Sequence, residues 1–334
     1  VLSLLVELTD ETVVSGPEIS SLSECLVAGD ILASLLLLFR RLSSMDDKVV
    51  LLQLLFNVLD TYPSVAIQLA TPEWISHFAP ILSGEVCYGQ SLAVEVLIPV
   101  LHSIEPSNLG TLVDPALIAS IADKIKLPLD QEHANNLYDL VCILAASLQL
   151  RPMFQSAIPE MAKHLKHLKA TSECLRDCEI NCNTFVESLG LKPLGTVLKR
   201  NCSEHALSIC NSLLANCTGK SLERAVSKFA ENSFEKTLAV LHVISEKIPK
   251  VRRDCGEANE ENLFLWKCDN GLLELQQACV LIVRLTLLEP LQKVMLQLLA
   301  NQAVQEIIFT VHEYIQLHPD ELGTSLVDFQ SFVL

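Results

Sequence analysis

The stretch Ser156-Ala-Ile-Pro-Glu-Met-Ala-Lys-His-Leu-Lys166 decides how the chain is read, because its pattern recurs on both sides. Its relatives begin at Thr71-Pro72-Glu-Trp74, Asp114-Pro115-Ala-Leu117 and Leu191-Lys-Pro193-Leu194. Each sets a proline near a helix start, where the missing N–H would have no intrahelical partner anyway, and follows it with apolar residues three or four apart. The four prolines, 72, 115, 159 and 193, lie 43, 44 and 34 residues apart. A period of that size carried by helices alone is the signature of stacked helical units, each needing its neighbours to cover an apolar face. The expected fold is therefore all-α, a right-handed α-solenoid.

Composition agrees. Half of the 334 residues are hydrophobic, while aromatics make up 5% and glycines number 11, a balance that suits helix packing better than glycine-rich sandwiches or barrels. The longest apolar runs, 31–39 and 49–59, fall short of the roughly 18–20 residues a bilayer demands, so no membrane span is expected. Twelve cysteines lie mostly inside apolar helical patterns, where a free thiol acts as a small hydrophobe; this usage points to an intracellular setting, cytoplasm or nucleus. Chain 1 to 140 carries 18 acids against 5 bases, net −13, out of −16 for the whole. Such a surface attracts a basic partner segment and disfavours nucleic acid.

Capping signals divide the chain further. Asp30 is placed to cap a helix over 31–42, and Ser44 or Asp46 one over 47–61 that Tyr62-Pro63 ends. A shorter helix is expected over 18–27. Residues 249–271 are the most polar stretch and read as a long exposed loop, open to trypsin at Arg252 or Arg253. Helices resume over 272–288 and 291–314, and the tail 323–334 ends apolar. The expected organisation is thus repeats over 1–248, a polar loop over 249–271, and C-terminal helices over 272–334 that continue or cap the stack.

From residue 48 to 248 the chain resembles the armadillo family, with the HEAT family close by. An armadillo unit has a short first helix, a second opening on small-apolar-Pro-x-apolar, a polar turn and a longer third. Here 64–70, 72–82, 83–85 and 90–104 fit those places; later units use 115–125 then 131–148, and 153–168 then 172–189. The clearest match is Gly190-Leu-Lys-Pro193-Leu-Gly-Thr-Val-Leu198, a polar turn at 199–203, then Glu204 to Asn216. Pro99 inside a third helix, the lengthened turn at Lys126-Leu-Pro128-Leu and the early unit at Pro193 depart from the pattern.

The resemblance implies a non-enzymatic scaffold whose third helices line a groove for an extended peptide or a partner helix. The expected groove residues are Glu95, Asn135, Tyr138, Asn211 and Asn216, and Asn216 leads because an asparagine late in an armadillo third helix commonly pairs with ligand backbone. Two other readings stay open: a nucleic-acid or anionic-surface site through the basic 151–200 region, and a packing subunit of a large assembly.

No catalytic residue is expected. The chain has no G-x-S-x-G, G-x-x-x-x-G-K-[ST], G-x-G-x-x-G or H-E-x-x-H run, and its paired carboxylates, Asp46-Asp47 and Glu260-Glu261, fall at helix starts or in polar sequence. No metal or cofactor is expected either. Cys174, Cys178 and Cys182 would form a row on one face of a continuous helix, a poor geometry for zinc, and read as buried thiols.

Overall fold

Helices begin where the sequence supplies a cap. Asp114 accepts from the Ala116 N–H at 2.8 Å and Asp130 from the His133 N–H at 2.9 Å, each taking up an N–H that a first turn leaves free. Thr71 and Ser203 do the same for Trp74 and Ala206, both at 3.4 Å. Ser44 holds the cap position of its helix without a side-chain bond; Asp46 and Asp47 supply the favourable charge in that first turn instead. The computed structural model describes residues 2–10, isolated positions between 17 and 25, 31–85, 87–253, 260–299, 304–317 and 323–333. The cap expected at Asp30 and most of the helix expected over 18–27 lie outside them. The fold is all-α, with no strand among the described residues, and two compact units divide at Met161 and Ala162.

In the first unit the helices are α1 (Leu2–Leu8), α2 (Ile31–Arg41), α3 (Met45–Thr61), α4 (Ala66–Leu69), α5 (Pro72–Ile75), α6 (Phe78–Ser83), α7 (Tyr88–His102), α8 (Pro106–Leu112), α9 (Pro115–Ile125) and α10 (Gln131–Ala145). The long helices form one layer, α3 on α7 on α10, and α6 on α9 forms a second. Leu51, Leu52 and Leu54 of α3, Ala93, Val94 and Leu97 of α7, and Leu137, Leu140 and Leu144 of α10 are fully buried, which is why α3 reads as apolar nearly all round. The second helix expected over 72–82 is interrupted at Ser76-His77. There His77 tilts against Phe39, ring centroids 5.5 Å apart, and accepts from Arg40 Nε at 3.3 Å. A 3₁₀ turn, Arg151–Ala157, closes α10: buried Arg151 donates through Nε to the Ala145 carbonyl at 2.6 Å, a cation on the free carbonyls of a helix end.

Helix α11 (Ile158–His164) stands at the division. The second unit holds α12 (Leu168–Leu175), α13 (Glu179–Glu187), α14 (Leu191–Arg200), α15 (Glu204–Asn216), α16 (Gly219–Val251), α17 (Glu260–Asp269), α18 (Leu272–Leu287), α19 (Glu289–Leu299), α20 (Val304–Leu317) and α21 (Gly323–Val333). Its inner layer is α12 on α15 on α18, with α14 against α16 outside. Leu281 and Val283 of α18 and Leu207 and Ile209 of α15 are fully buried. Helix α16 bends at Glu231, after which Asn232, Ser233 and Phe234 all take left-handed backbone angles.

Several expectations give way here. The helix expected over 172–189 is broken, because Arg176 turns extended and Asp177 left-handed, so Cys174, Cys178 and Cys182 do not form one row on one helix. The helix expected over 153–168 keeps only α11, ending at left-handed Leu165, which is itself buried. Residues 249–271 are not a single loop. Helix α16 runs through Pro249 to Val251, and Arg252 donates its N–H to the Ile248 carbonyl at 2.9 Å. Arg252 is held, not free: it pairs with Glu306 at 3.4 Å and Glu313 at 2.8 Å, donates to Thr310 at 3.0 Å and covers the Phe309 ring. Residues 260–269 form α17, packed on α18 and closed by Asn270 and by Gly271 at φ +93°. Residues 254–259 lie outside the described chain. The helix expected over 291–314 is two, α19 and α20, with 300–303 likewise outside.

Candidate protein-binding cleft

Inner helices in both units are joined by side-chain hydrogen bonds, and these joints place the expected site residues. In the first unit Tyr88 Oη donates to Gln53 Oε1 at 3.0 Å, Ser91 Oγ meets His133 Nδ1 at 2.6 Å, and Asn136 Nδ2 donates to Glu95 Oε1 at 3.1 Å. Glu95 therefore bridges α7 to α10 through Asn136. Burial, and then the Glu132 charge, lift its carboxyl above the ordinary range. Asn135 is exposed and accepts from Gln131 one turn back at 3.5 Å, while Tyr138 is half-buried on the same helix. These three residues share two neighbouring helices. A cleft of about 670 Å³ in the same unit is lined elsewhere, by Ser83, Glu85, Ser120, Asp123 and Lys124, the last buried and donating to the Gly84 carbonyl.

In the second unit Ser172 donates to Ser208 at 2.9 Å, tying α12 to α15. Asn211 ties α15 to α18: its Nδ2 donates to the Gln277 carbonyl at 2.9 Å and to Gln277 Oε1 at 2.8 Å. The Asn211 side chain is buried, and its Oδ1 has no hydrogen-bond partner. Beside this joint opens a cleft of about 250 Å³ that both Asn211 and Asn216 line. Asn216 sits at the end of α15, half-buried, its Nδ2 donating back to the Ser212 carbonyl at 3.0 Å. The other polar walls are Glu204 and Ser208 of α15, Gln276 and Arg284 of α18, Tyr314 of α20, and Arg176 with Asp177 from the α12–α13 break. Arg176 is fixed by Glu173, Nη2 to Oε1 at 2.7 Å. Hydrogen-bond donors and acceptors, with charges of both signs, thus converge on a small concave surface. The contributions of Gln276, Arg284 and Tyr314 had no sequence signal, because they reach Asn211 from 65 or more positions away in the chain.

The cysteines have a packing role. Cys182 Sγ donates to the Leu175 carbonyl at 3.1 Å across the α12–α13 break, and the neighbouring Cys217 thiol, then burial, push its pKa far above the thiol range. Burial does the same to Cys210 and Cys279. Thiols held protonated in this way are poor nucleophiles and poor metal ligands. Among the described residues no group of three or more His, Cys, Asp or Glu is arranged to hold a metal ion. None of the described helices alone is long and apolar enough to cross a membrane; the bent pair formed by α3 and residues 63–69 turns through 118°, and the α3 leucines are core.

Over residues 1–313 the sequence matches the family described as catenin-beta-like, Arm-motif containing nuclear. The chain belongs to that family. Its armadillo-type fold is thereby established, and the resemblance read from Pro72, Pro115 and the 190–216 stretch holds. Among curated proteins it is 28% identical to human beta-catenin-like protein 1 over 199 residues, 47% of this chain and 35% of that protein. The mouse protein of the same name matches at 28% and the bovine one at 27%, with the same coverage. The chain spans about a third of the length of these relatives. A crystal structure of an engineered protein aligns over 99% of this chain and 97% of its own, at 10% identity and a TM-score of 0.48.

Proposed function

We propose that the chain is a non-enzymatic interaction scaffold of the nucleus, holding an extended peptide or a partner helix in the cleft between α15 and α18. The observation that carries this is the junction of Asn211, Asn216 and Gln276 with Arg176 and Arg284 on one concave surface, in a family whose description is armadillo-type and nuclear. Asn216 is the cleft residue to exchange hydrogen bonds with the ligand backbone, because its side chain bonds only back to its own helix and is not locked in a joint between helices as Asn211 is on Gln277 and Ser208 on Ser172. The acidic 1–140 stretch supplies a second, longer-range attraction for a basic segment of the partner, since summed charge steers encounter. Glu95, Asn135 and Tyr138 belong to that surface in the first unit.

The test fills the cleft. Ala215 is exposed on its wall, so Ala215→Trp leaves the core untouched and occupies the space. Proteins retained from nuclear extract by the unmodified chain are purified and titrated by calorimetry against both forms. Affinity should fall at least roughly tenfold, the cost of losing about 1.4 kcal/mol. Equal affinity for every retained protein would remove the cleft from the binding site.

A further inference from the structure

The outer layer of the second unit carries charge of the opposite sign to the rest of the chain. Helix α14 and the 219–236 part of α16 hold seven bases, Lys192, Lys199, Arg200, Lys220, Arg224, Lys228 and Lys236, against three acids, Glu223, Glu231 and Glu235. That is a net +4 in a protein of net −16. Helical spacing sorts these residues into two stripes: Lys192, Lys199 and Arg200 at i, i+7 and i+8 on α14, and Lys220, Arg224 and Lys228 at i, i+4 and i+8 on α16. The opposite faces are core: Leu191, Leu194 and Leu198 on one helix, Ala225, Val226 and Phe229 on the other.

The stripes lie side by side because of two local features. Gly195 has no side chain, and a Cβ there would come within 2.9 Å of Lys236 Cε and 3.4 Å of Lys228 Cε, so the lysine stems of α16 lie directly on α14. The left-handed run at 232–234 then turns the chain so that Glu231 and Glu235 reach back, Glu231 to Lys228 at 2.8 Å and Lys236 at 3.5 Å, Glu235 to Lys199 at 2.6 Å. Those two acids are used up in holding three lysines in place. Lys192, Arg200, Lys220 and Arg224 remain exposed and, among the described residues, outside any ion pair.

We propose that this α14–α16 face is a docking surface for an acidic segment of a partner protein, separate from the α15–α18 cleft. Charge complementarity selects the sign of the partner. Its class follows from what the stripes lack: they carry no exposed aromatic on which bases could stack, the feature that gives single-stranded nucleic acid its affinity beyond phosphate contacts. Glu223 stands among the four exposed bases and sets the register, repelling an acid directly opposite.

The test uses the full chain and a fluorescently labelled Glu/Gly peptide, followed by anisotropy at about 50 and about 200 mM salt. Binding should be detected at the lower salt and weaken at the higher. The variant K192E/R200E/R224E should weaken it roughly tenfold or more, K192Q/R200Q/R224Q should weaken it less in the same direction, and Glu223→Lys should strengthen it. Helical circular dichroism confirms that each variant is folded; the Gln set and Glu223→Lys decide the matter if the reversal is not. No binding at the lower salt, or binding insensitive to these changes, overturns the proposal. Tighter binding of an oligouridine of equal charge would reassign the face to nucleic acid, and a concentration-dependent mass that the triple reversal abolishes would reassign it to a second copy; either result overturns it too.

Discussion

In the first unit no described residue other than glycine takes a left-handed backbone; in the second, Leu165, Asp177, Leu189, Asn232, Ser233 and Phe234 all do. Both units bury the same kind of inner layer, long helices joined by one or two side-chain hydrogen bonds, so the difference is one of continuity and not of packing. Each left-handed residue other than glycine costs about 1–2 kcal/mol, which the surroundings must offset. Leu165 does so by being buried. Asp177 instead brings its carboxylate and the neighbouring Arg176 to the mouth of the cleft. Breaks of this kind turn a smooth helical layer into a surface with polar edges, and the second unit is where the α15–α18 cleft and the α14–α16 face lie.

Equal packing has a direct check. Leu97→Ala in the first unit and Leu281→Ala in the second each remove a fully buried side chain, and each should cost about 3 kcal/mol in urea unfolding. A loss below about 1 kcal/mol in one unit alone would break the comparison by showing a loosely packed layer there. Next in size, Asn211→Ala should cost about 2 kcal/mol, since it strands the Gln277 carbonyl and amide. Asn135→Ala, on an exposed face, should change stability by less than about 0.5 kcal/mol.

Much of the fold was legible in the sequence for identifiable reasons. Pro115–Ile125 and Glu204–Asn216 have the bounds their residues announce, because Asp114, Pro115 and Ser203 are unambiguous start signals. The breaks were not legible, because nothing in Leu165 or Leu189 marks a left-handed residue; tertiary packing puts it there. Helix α17 was hidden because its apolar positions, among them Phe264 and Leu265, form only a short patch in polar sequence and are half exposed. Of the expected site residues, Asn211 and Asn216 share the cleft, although five positions along one helix set them about 140° apart around its axis; both were legible only as polar residues late in α15. Their partners on α18 and α20 required the fold.

Two smaller effects sharpen the contrast. Leu189 is exposed and left-handed at φ +65° where α13 ends, a position that favours glycine, so Leu189→Gly should raise stability by about 1 kcal/mol, read as a higher thermal midpoint. A loss of stability would mean that the second unit's breaks are not strained. In the first unit, burial, opposed by Asp130 and reinforced by Lys124, holds His133 below its usual 6.5. The unfolded chain then binds the proton more readily, so the stabilisation is complete above pH 6.5 and is lost as pH falls below it toward the folded value. His133→Asn keeps an acceptor facing Ser91 and should flatten this part of the stability profile; an unchanged slope would assign the pH dependence elsewhere.

The most direct measurement places a photo-cross-linking amino acid at Ala215, on the wall of the cleft, and as a control at Leu238, exposed on α16. In nuclear extract, Ala215 is expected to yield discrete cross-linked proteins that unlabelled Asn216→Ala captures less well, and Leu238 is expected to yield none of them. Identical products from both positions, or none from Ala215, would contradict a scaffold that binds its partner between α15 and α18.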